Sequence, residues 1–264
     1  RFDQEVKSSD IESTLNDAFG SAEVKTFGPS NQLKITTKYK VDEEGLAVDN
    51  EIKNLLFDNL NELFTYPLTF QQFSAGEDVG IMSSIKVGPT IADDIKKNSV
   101  WAIFGSLIIV FLYILLRFQK WQYSIGAVSA VFHDVIIVLG IFSLTYKIMP
   151  FNMEINQAFI AALLTVIGYS LNDTVVVFDR IREFFGIHKS WDNQTVVNTA
   201  LNSTLSRTLN TSLTTLIVLV AIFIFGGESI RGFMFALIIG VLVGTYSSVF
   251  IATPIMFDSY KRKN

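Results

Sequence analysis

Five long apolar runs in the second part of this 264-residue sequence limit what the chain can fold into. Each run is near the roughly 20 residues that a helix needs to cross about 30 Å of hydrocarbon. Apolar residues make up 50% of the chain, more than a soluble core needs, so lipid is the expected solvent for this part. The sequence therefore predicts a polytopic α-helical membrane bundle with spans at residues 100–116, 124–146, 157–178, 209–227 and 232–257.

Basic residues are unevenly distributed between the connections of these spans. One set of connections contains only Lys147 and Arg231, whereas the other contains Arg117, Lys120, Arg180, Arg182, Lys189, Arg207, Lys261, Arg262 and Lys263. Connections rich in lysine and arginine stay in the cytoplasm. The expected topology is a multi-pass inner-membrane protein, with the N-terminal domain on the outer face and a cytoplasmic C-terminus.

The residues before the first span form a separate acidic domain. Residues 1–98 contain 17 acidic and 10 basic residues, and residues 99–264 contain 8 and 11. The sequence thus predicts a front domain at 1–98 and a transmembrane domain at 99–264. An acidic surface repels phosphate groups, which argues against nucleic acid as a partner.

The front domain alternates strand and helix patterns. The order strand, helix, two strands, helix, strand predicts the α+β class, with a small ferredoxin-like α/β domain preceding the membrane helices. It contains no histidine and no glycine-rich phosphate loop, so it is expected to be a folded module without chemistry of its own. The predicted elements are a strand at 1–6, a helix ending at Phe19, a hairpin at 22–27 and 33–39, a helix at 48–64 and a strand at 69–73.

Small residues recur every four positions in the last span, and a shorter stripe occurs in the second. Such stripes let neighbouring helices approach closely. The inner connection at 187–208 suits a helix lying along the membrane surface, with Arg207 at the inner mouth of the bundle. The stripe of the last span is Ala236, Gly240, Gly244, Ser248 and Ala252, and that of the second is Gly126, Ala130 and Asp134.

Two acidic residues lie inside the predicted spans, where an ionised carboxyl costs several kcal/mol. Asp173, after Asn172 in the third span, is either a carboxyl that binds a proton or cation or a permanently paired acid that fixes helix register. Burial favours its neutral form and a nearby Arg207 favours its charged form, so the two together make a switch. Asp134 lies near mid-membrane beside His133, and this pair either relays protons or is hydrogen-bonded to neighbouring helices.

Other candidate chemistry is weaker. Asp179 and Arg180 mark the cytoplasmic exit of the third span and are either supporting residues or simple interfacial charges. The segment 168–172 breaks the G-x-S-x-G elbow, no H-E-x-x-H occurs, and two histidines cannot form a three-histidine metal site. Asp134 and Asp173 could face each other as a protease dyad, but neither lies in a glycine-flanked acid motif. The chain is therefore expected to be no enzyme and to hold no cofactor or metal.

Eight short motifs resemble one known family. They are similar to the SecF family of protein-export membrane proteins, part of the resistance-nodulation-division superfamily, over residues 87–257. The motifs are VGPT at 87–90, FHDVII at 132–137, IGYSLNDT at 167–174, DRIRE at 179–183, SRT at 206–208, TSLTT at 211–215, FGG at 225–227 and IGVLVGTYSS at 239–248.

The resemblance implies an auxiliary subunit of the Sec translocase that uses the H⁺ or Na⁺ gradient to promote export of preproteins. Its implied partners are SecD or a fused SecD half, the SecYEG channel, the preprotein and the lipid bilayer. The proton-path acid of the family falls on Asp173 and its essential arginine on Arg207. The family has a further membrane helix before the outer domain, so a fragment is expected. Two alternatives remain: a fragment of a small-molecule exporter of the same superfamily, and a non-transporting scaffold of the Sec channel.

Overall fold

The computed structural model describes residues 1–43 and 45–261, which fold into two compact units. One unit contains Arg1–Lys96 with the short segments Met149–Asn152 and Gly227–Ser229, and the other contains the remaining residues. Of the predicted basic residues, Arg262 and Lys263 lie outside the described part of the chain.

The first unit is built on a two-stranded antiparallel sheet and short helices. Helix α1 is Ser8–Phe19, strands β1 and β2 are Ala22–Thr26 and Leu33–Thr37, helix α2 is Leu46–Leu60 followed by a 3₁₀ turn at Asn61–Leu63, and helix α3 is Phe70–Ala75. Gly20 ends α1 in the left-handed conformation, at a φ of 71°. The core consists of apolar side chains from all these elements, chiefly Phe2, Ile11, Leu15, Phe19, Val24, Leu60, Phe64 and Phe73.

The predicted hairpin is confirmed, but the two outer strands were wrongly predicted. Within the described residues, the segment 1–6 makes isolated bonds to the hairpin loop, with the Phe2 amide donating to the Asn31 carbonyl at 2.8 Å, and does not form a ladder. The segment 69–73 is helical because Thr69 caps α3: its hydroxyl accepts from the Gln72 amide, and the Gln72 side chain accepts from the Thr69 amide. This capping box outweighs the strand preference of the local sequence.

The second unit contains most of the long apolar helices, and five of them are candidate membrane spans, as predicted. Helix α4 is Pro89–Phe118, α5 is Trp121–Thr145, α6 is Gln157–Ile187, α7 is Asn193–Phe225 and α8 is Glu228–Ser247; a π-helical segment at Ser248–Ala252 leads into α9, Thr253–Lys261. The five helices are long and apolar enough to cross a membrane. Helices α6 and α7 run antiparallel side by side, since Asp173 contacts Ser212 and Arg180 contacts Ser203.

The separate surface helix predicted for residues 187–208 is not formed. Most of this segment is the start of α7, one continuous helix of 33 residues and about 50 Å, longer than the hydrocarbon layer. No glycine or proline occurs between Asn193 and Phe225. The many hydroxyl side chains bond back to carbonyls of their own helix, as Thr211 does to Arg207 at 3.0 Å, so they do not interrupt it.

Candidate functional site

Two buried carboxyl groups lie in the membrane unit, and Ser170, which contacts Asp134, lies one helical turn before Asp173 on α6. Asp134 of α5 is 0% exposed and Asp173 of α6 is 3% exposed. A carboxyl group in an apolar bundle must find polar partners, because its desolvation otherwise costs several kcal/mol. The hydroxyl groups of three neighbouring helices supply these partners.

Asp134 has more polar contacts than Asp173. The hydroxyl of Ser170 on α6 donates to its Oδ2 at 2.6 Å, and the hydroxyl of Ser247 on α8 donates to the same oxygen at 2.8 Å. Its Oδ1 lies 3.1 Å from Nδ1 of His133, a half-buried neighbour on the same helix. Two hydroxyl donors and one imidazole nitrogen therefore contact this carboxyl, which connects α5, α6 and α8.

The stripe of small residues on α8 makes this arrangement possible. A Cβ atom at Gly240 would overlap the side chain of Val166 on α6, and one at Gly244 would lie 3.0 Å from the Cβ of Ser170. Only glycine lets the two helices approach this closely. Because α8 lies so near α6, Ser247 reaches the carboxyl that Ser170 also contacts.

Asp173 has fewer donors and a longer chain of contacts. Ser212 Oγ on α7 lies 3.3 Å from Asp173 Oδ2, and the same oxygen lies 2.6 Å from Thr245 Oγ1 on α8. Thr245 in turn donates to the carbonyl of Val241, one turn earlier in its own helix, at 2.7 Å. Asp173 is thus linked to α7 directly and to α8 through two hydroxyls.

The expected ion pair between Asp173 and Arg207 is not formed in this structure. Arg207 is exposed on α7, five residues before Ser212 and so about 7.5 Å away along the helix axis. Among the described residues, the direct partner of the Asp173 side chain is Ser212, and the pairing with Arg207 stays a prediction.

The remaining predicted site residues are not among the hydrogen-bond partners of Asp134 and Asp173 given above. Asn172 lies on an exposed face of α6. Asp179 forms ion pairs with Arg117 at 3.0 Å and Arg182 at 2.8 Å, and Arg180 Nε donates to the hydroxyl of Ser203 at 2.9 Å. These contacts join α4, α6 and α7 at the charged end of the bundle.

Sequence reasoning missed the hydroxyl partners of the acids. Ser170, Ser212, Thr245 and Ser247 all occur within the motifs quoted above, but none was predicted as a site residue. The available signal was positional: Thr245 directly follows a glycine of the small-residue stripe, and Ser247 comes two positions later. Polar residues beside a close helix contact are candidates for bonds across it.

Comparison with known proteins identifies the family. A family model described as protein export membrane protein SecD/SecF, C-terminal, matches residues 69–262. The chain belongs to the SecD/SecF family. The predicted family resemblance is thereby confirmed, and the chain is a membrane component of protein translocation.

Curated members of the SecD/SecF family resemble the chain over most of its length. The protein translocase subunit SecF of Rhodothermus marinus is 45% identical over 236 residues, which cover 89% of this chain and 71% of that protein. The subunit of the same name from Thermodesulfovibrio yellowstonii is 41% identical over 258 residues, or 97% and 78%. A crystal structure of SecDF in its super-membrane-facing form matches with a TM-score of 0.59 and 27% identity, over 95% of this chain and 32% of that one. The chain therefore spans about a third of the SecDF chain.

Proposed function

We propose that this chain is an auxiliary subunit of the Sec translocase in the bacterial inner membrane, and that it uses an ion gradient to promote preprotein export. Its proposed partners are SecD, as a subunit or a fused half, the SecYEG channel and the preprotein. Its proposed topology has the first unit in the periplasm and the C-terminus in the cytoplasm, from the distribution of basic residues.

The observation that supports ion coupling is Asp173, a buried acid in a chain of the protein-export family. Its contacts are hydroxyl groups rather than a fixed cation, so neutralising it leaves no buried positive charge behind. A permanently ionised acid at this position would need more donors than Ser212 alone supplies. Binding of H⁺, or of Na⁺ in its place, is the proposed coupling step.

Arg207 is proposed to act on the charged form of Asp173. When the carboxyl loses its ion, the nearest guanidinium on α7 is attracted towards it, and a long arginine side chain can extend along the helix to approach it. Binding of the next ion removes this attraction. The helices then rearrange, and the periplasmic unit changes position.

The energetics limit how many ions are needed. One proton crossing 100 mV releases about 2.3 kcal/mol, and one unit of pH gradient adds about 1.4. Shifting a two-state equilibrium from 1:99 to 99:1 needs about 5.5 kcal/mol. At such gradients one proton is not enough, so we propose that a full conformational cycle uses more than one ion.

Translocation into vesicles tests this function directly. The full-length protein is reconstituted with SecD and SecYEG, a proton or a sodium gradient is imposed separately, and preprotein uptake is measured. Asp173→Asn and Arg207→Gln should each reduce uptake to the level seen without a gradient, while assembly is unchanged. Glu183→Gln, which removes an exposed carboxyl from the same helix, is the matched control.

The alternatives give different results in this assay. A non-transporting scaffold would keep full uptake when Asp173 is neutralised. A small-molecule exporter would show no gradient-dependent preprotein uptake in the unmodified protein. Either result would overturn the proposal, and the gradient that stimulates uptake identifies the ion.

A further inference from the structure

Three basic side chains lie together where α4 turns into α5, at the charged end of the bundle. Arg117 is in the last turn of α4, and Lys120 directly precedes α5. Arg182 of α6 lies against the end of α4, because its Nη1 donates to the Arg117 carbonyl at 3.1 Å. All three side chains are exposed. We call these three residues the basic cluster.

The basic cluster carries more positive charge than its carboxylate partner neutralises. Among the described residues, that partner is Asp179, at 3.0 Å from Arg117 and 2.8 Å from Arg182. Lys120 contacts the hydroxyl of Tyr260 at 3.3 Å and lies 4.8 Å from the centre of the same ring, and neither group carries an opposite charge. Three positive charges against one negative charge leave an excess of two.

An aromatic ring holds the two arginine side chains in place. Phe118 is buried, and the guanidinium carbons of Arg117 and Arg182 lie 5.5 Å and 5.1 Å from the centre of its ring. These contacts and the shared carboxylate restrict both side chains. Side chains that are already ordered lose little conformational freedom when they bind a ligand.

Both guanidinium groups retain donors for a further anion. A guanidinium has five N–H donors. In the contacts described here, Arg117 uses one of them for Asp179, and Arg182 uses one for Asp179 and one for the Arg117 carbonyl. The remaining donors form a planar fork whose geometry matches the oxygens of a phosphate group.

The depth of the basic cluster matches the phosphate layer of a membrane. Trp101 and Phe118 are 17 residues apart on α4, about 26 Å along the helix axis, which is close to the thickness of the hydrocarbon layer. Trp101 and Trp121 are both exposed, and tryptophan side chains are enriched at the two membrane–water boundaries. Trp121 is the first residue of α5, so the cluster lies at one of these boundaries.

We propose that the basic cluster binds the phosphate group of an anionic phospholipid such as phosphatidylglycerol. The acyl chains would lie along α4, where Ile109, Leu112 and Leu116 are exposed on one face and lead up to the cluster. A phosphodiester carries one negative charge, which the excess of two positive charges accommodates. This inference concerns lipid binding and does not depend on ion coupling at Asp173.

The fluorescence of Trp121 measures which lipid lies next to the basic cluster. The sequence has three tryptophans, so Trp101→Phe and Trp191→Phe leave Trp121 alone, and any tryptophan elsewhere in the full-length protein is replaced in the same way. The protein is reconstituted in phosphatidylcholine vesicles that contain brominated phosphatidylglycerol or brominated phosphatidylcholine. At equal mole fraction, the phosphatidylglycerol should bind beside Trp121 several-fold more strongly, seen as stronger quenching.

Charge variants separate a built site from general attraction of anionic lipids to basic residues. Lys120→Gln and Arg182→Gln should each lower the preference for phosphatidylglycerol by about two- to fivefold. Asp179→Asn should raise it by a similar factor, because the competing negative charge is removed. The matched control is Lys147→Gln, an exposed lysine beyond the other end of α5, which should leave the preference unchanged.

Four results would overturn the inference. The first is equal quenching by the two lipids in the unmodified protein. The second is a loss in Lys147→Gln as large as that in Lys120→Gln, since only the net charge would then matter. The third is a lower preference in Asp179→Asn, which would limit the cluster to holding helices together. The fourth is loss of the preference in millimolar inorganic phosphate but not in chloride of equal ionic strength, which would assign the site to a soluble phosphate.

Discussion

The contact between α6 and α8 can be tested by adding a single methyl group at Gly240. A Cβ at this position would overlap the Cβ and both γ-methyls of Val166. Val166 is 1% exposed, and its β-branched side chain is restricted to few rotamers, so it cannot turn away. The Gly240→Ala variant must therefore move the backbone of α8 away from α6.

The expected loss of stability combines two effects. Extra volume in a packed interior costs about 1–3 kcal/mol. Moving α8 also separates Ser247 from Asp134, which are 2.8 Å apart, and a hydrogen bond contributes about 0.5–1.5 kcal/mol. Gly240→Ala should thus lower the free energy of unfolding by between about 1.5 and 4.5 kcal/mol.

Unfolding in mixed detergent micelles, titrated with dodecyl sulfate, measures this loss. Gly168→Ala on α6 and Gly140→Ala on α5 are the matched controls, because a Cβ at either glycine has no neighbouring atom within 4 Å. These controls should be neutral or more stable by about 0.5–1 kcal/mol, since alanine favours a helix. Gly244→Ala, whose Cβ would lie 3.0 Å from that of Ser170, should fall between the two extremes.

A second substitution shows whether the steric overlap is the cause. Val166→Ala removes the two methyl groups that the new Cβ meets, so the double variant Val166→Ala with Gly240→Ala should recover part of the lost stability. The interaction energy between residues in contact is typically about 0.5–3 kcal/mol. The close approach of α6 and α8 is wrong if Gly240→Ala has the same free energy of unfolding as the Gly168→Ala control. It is also wrong if adding Val166→Ala recovers none of the stability that Gly240→Ala loses.

Two further predictions concern charged groups outside the bilayer core. Glu51 accepts hydrogen bonds from Lys40 and Tyr39, and these bonds lower the pKa of Glu51. The stability that these bonds add to the first unit is therefore present at neutral pH and is lost as the pH falls through the folded-state pKa of Glu51. Glu51→Gln should remove this loss of stability at acid pH, as measured by hydrogen exchange in the first unit. Asp179→Asn should cost less than about 1 kcal/mol in the detergent titration, because its partners Arg117 and Arg182 are 40% and 42% exposed, and high salt should shrink the difference. A larger, salt-independent loss would contradict this.

The five spans could be predicted because a membrane helix must satisfy its backbone internally and needs a fixed length of apolar sequence. The exact ends of these helices could not be predicted. Helices α6 and α7 continue beyond the apolar runs at Asp179 and before Leu209, since nothing in those segments breaks a helix. In the first unit, Gly28 and Pro29 correctly predicted the hairpin turn, whereas the Thr69 capping box was not recognised and its segment was predicted as a strand.

The two buried acids could also be predicted, because the cost of a carboxyl in hydrocarbon marks such residues as special. The hydroxyl groups that contact these acids could not be predicted. A serine or threonine in a helix can always bond to its own backbone, as Thr174 does, so sequence alone does not show which hydroxyl reaches another helix. That depends on how closely two helices approach and on their rotation, which the contact of Gly240 with Val166 sets here.

Helix α8 connects the two acids and lies next to the least regular part of the bundle. Its Thr245 reaches the chain that starts at Asp173, and its Ser247 holds Asp134, so a shift of α8 must change both contacts. The π-helical segment Ser248–Ala252 begins at the next residue, and π segments inside helices occur often at functional sites. Because Gly126 of α5 packs directly against the backbone of Ala252, the far side of this segment is fixed to α5. If ion binding at Asp173 moves α8 as proposed, we expect the movement to be absorbed between Ser247 and Ala252, while α9 stays with α5.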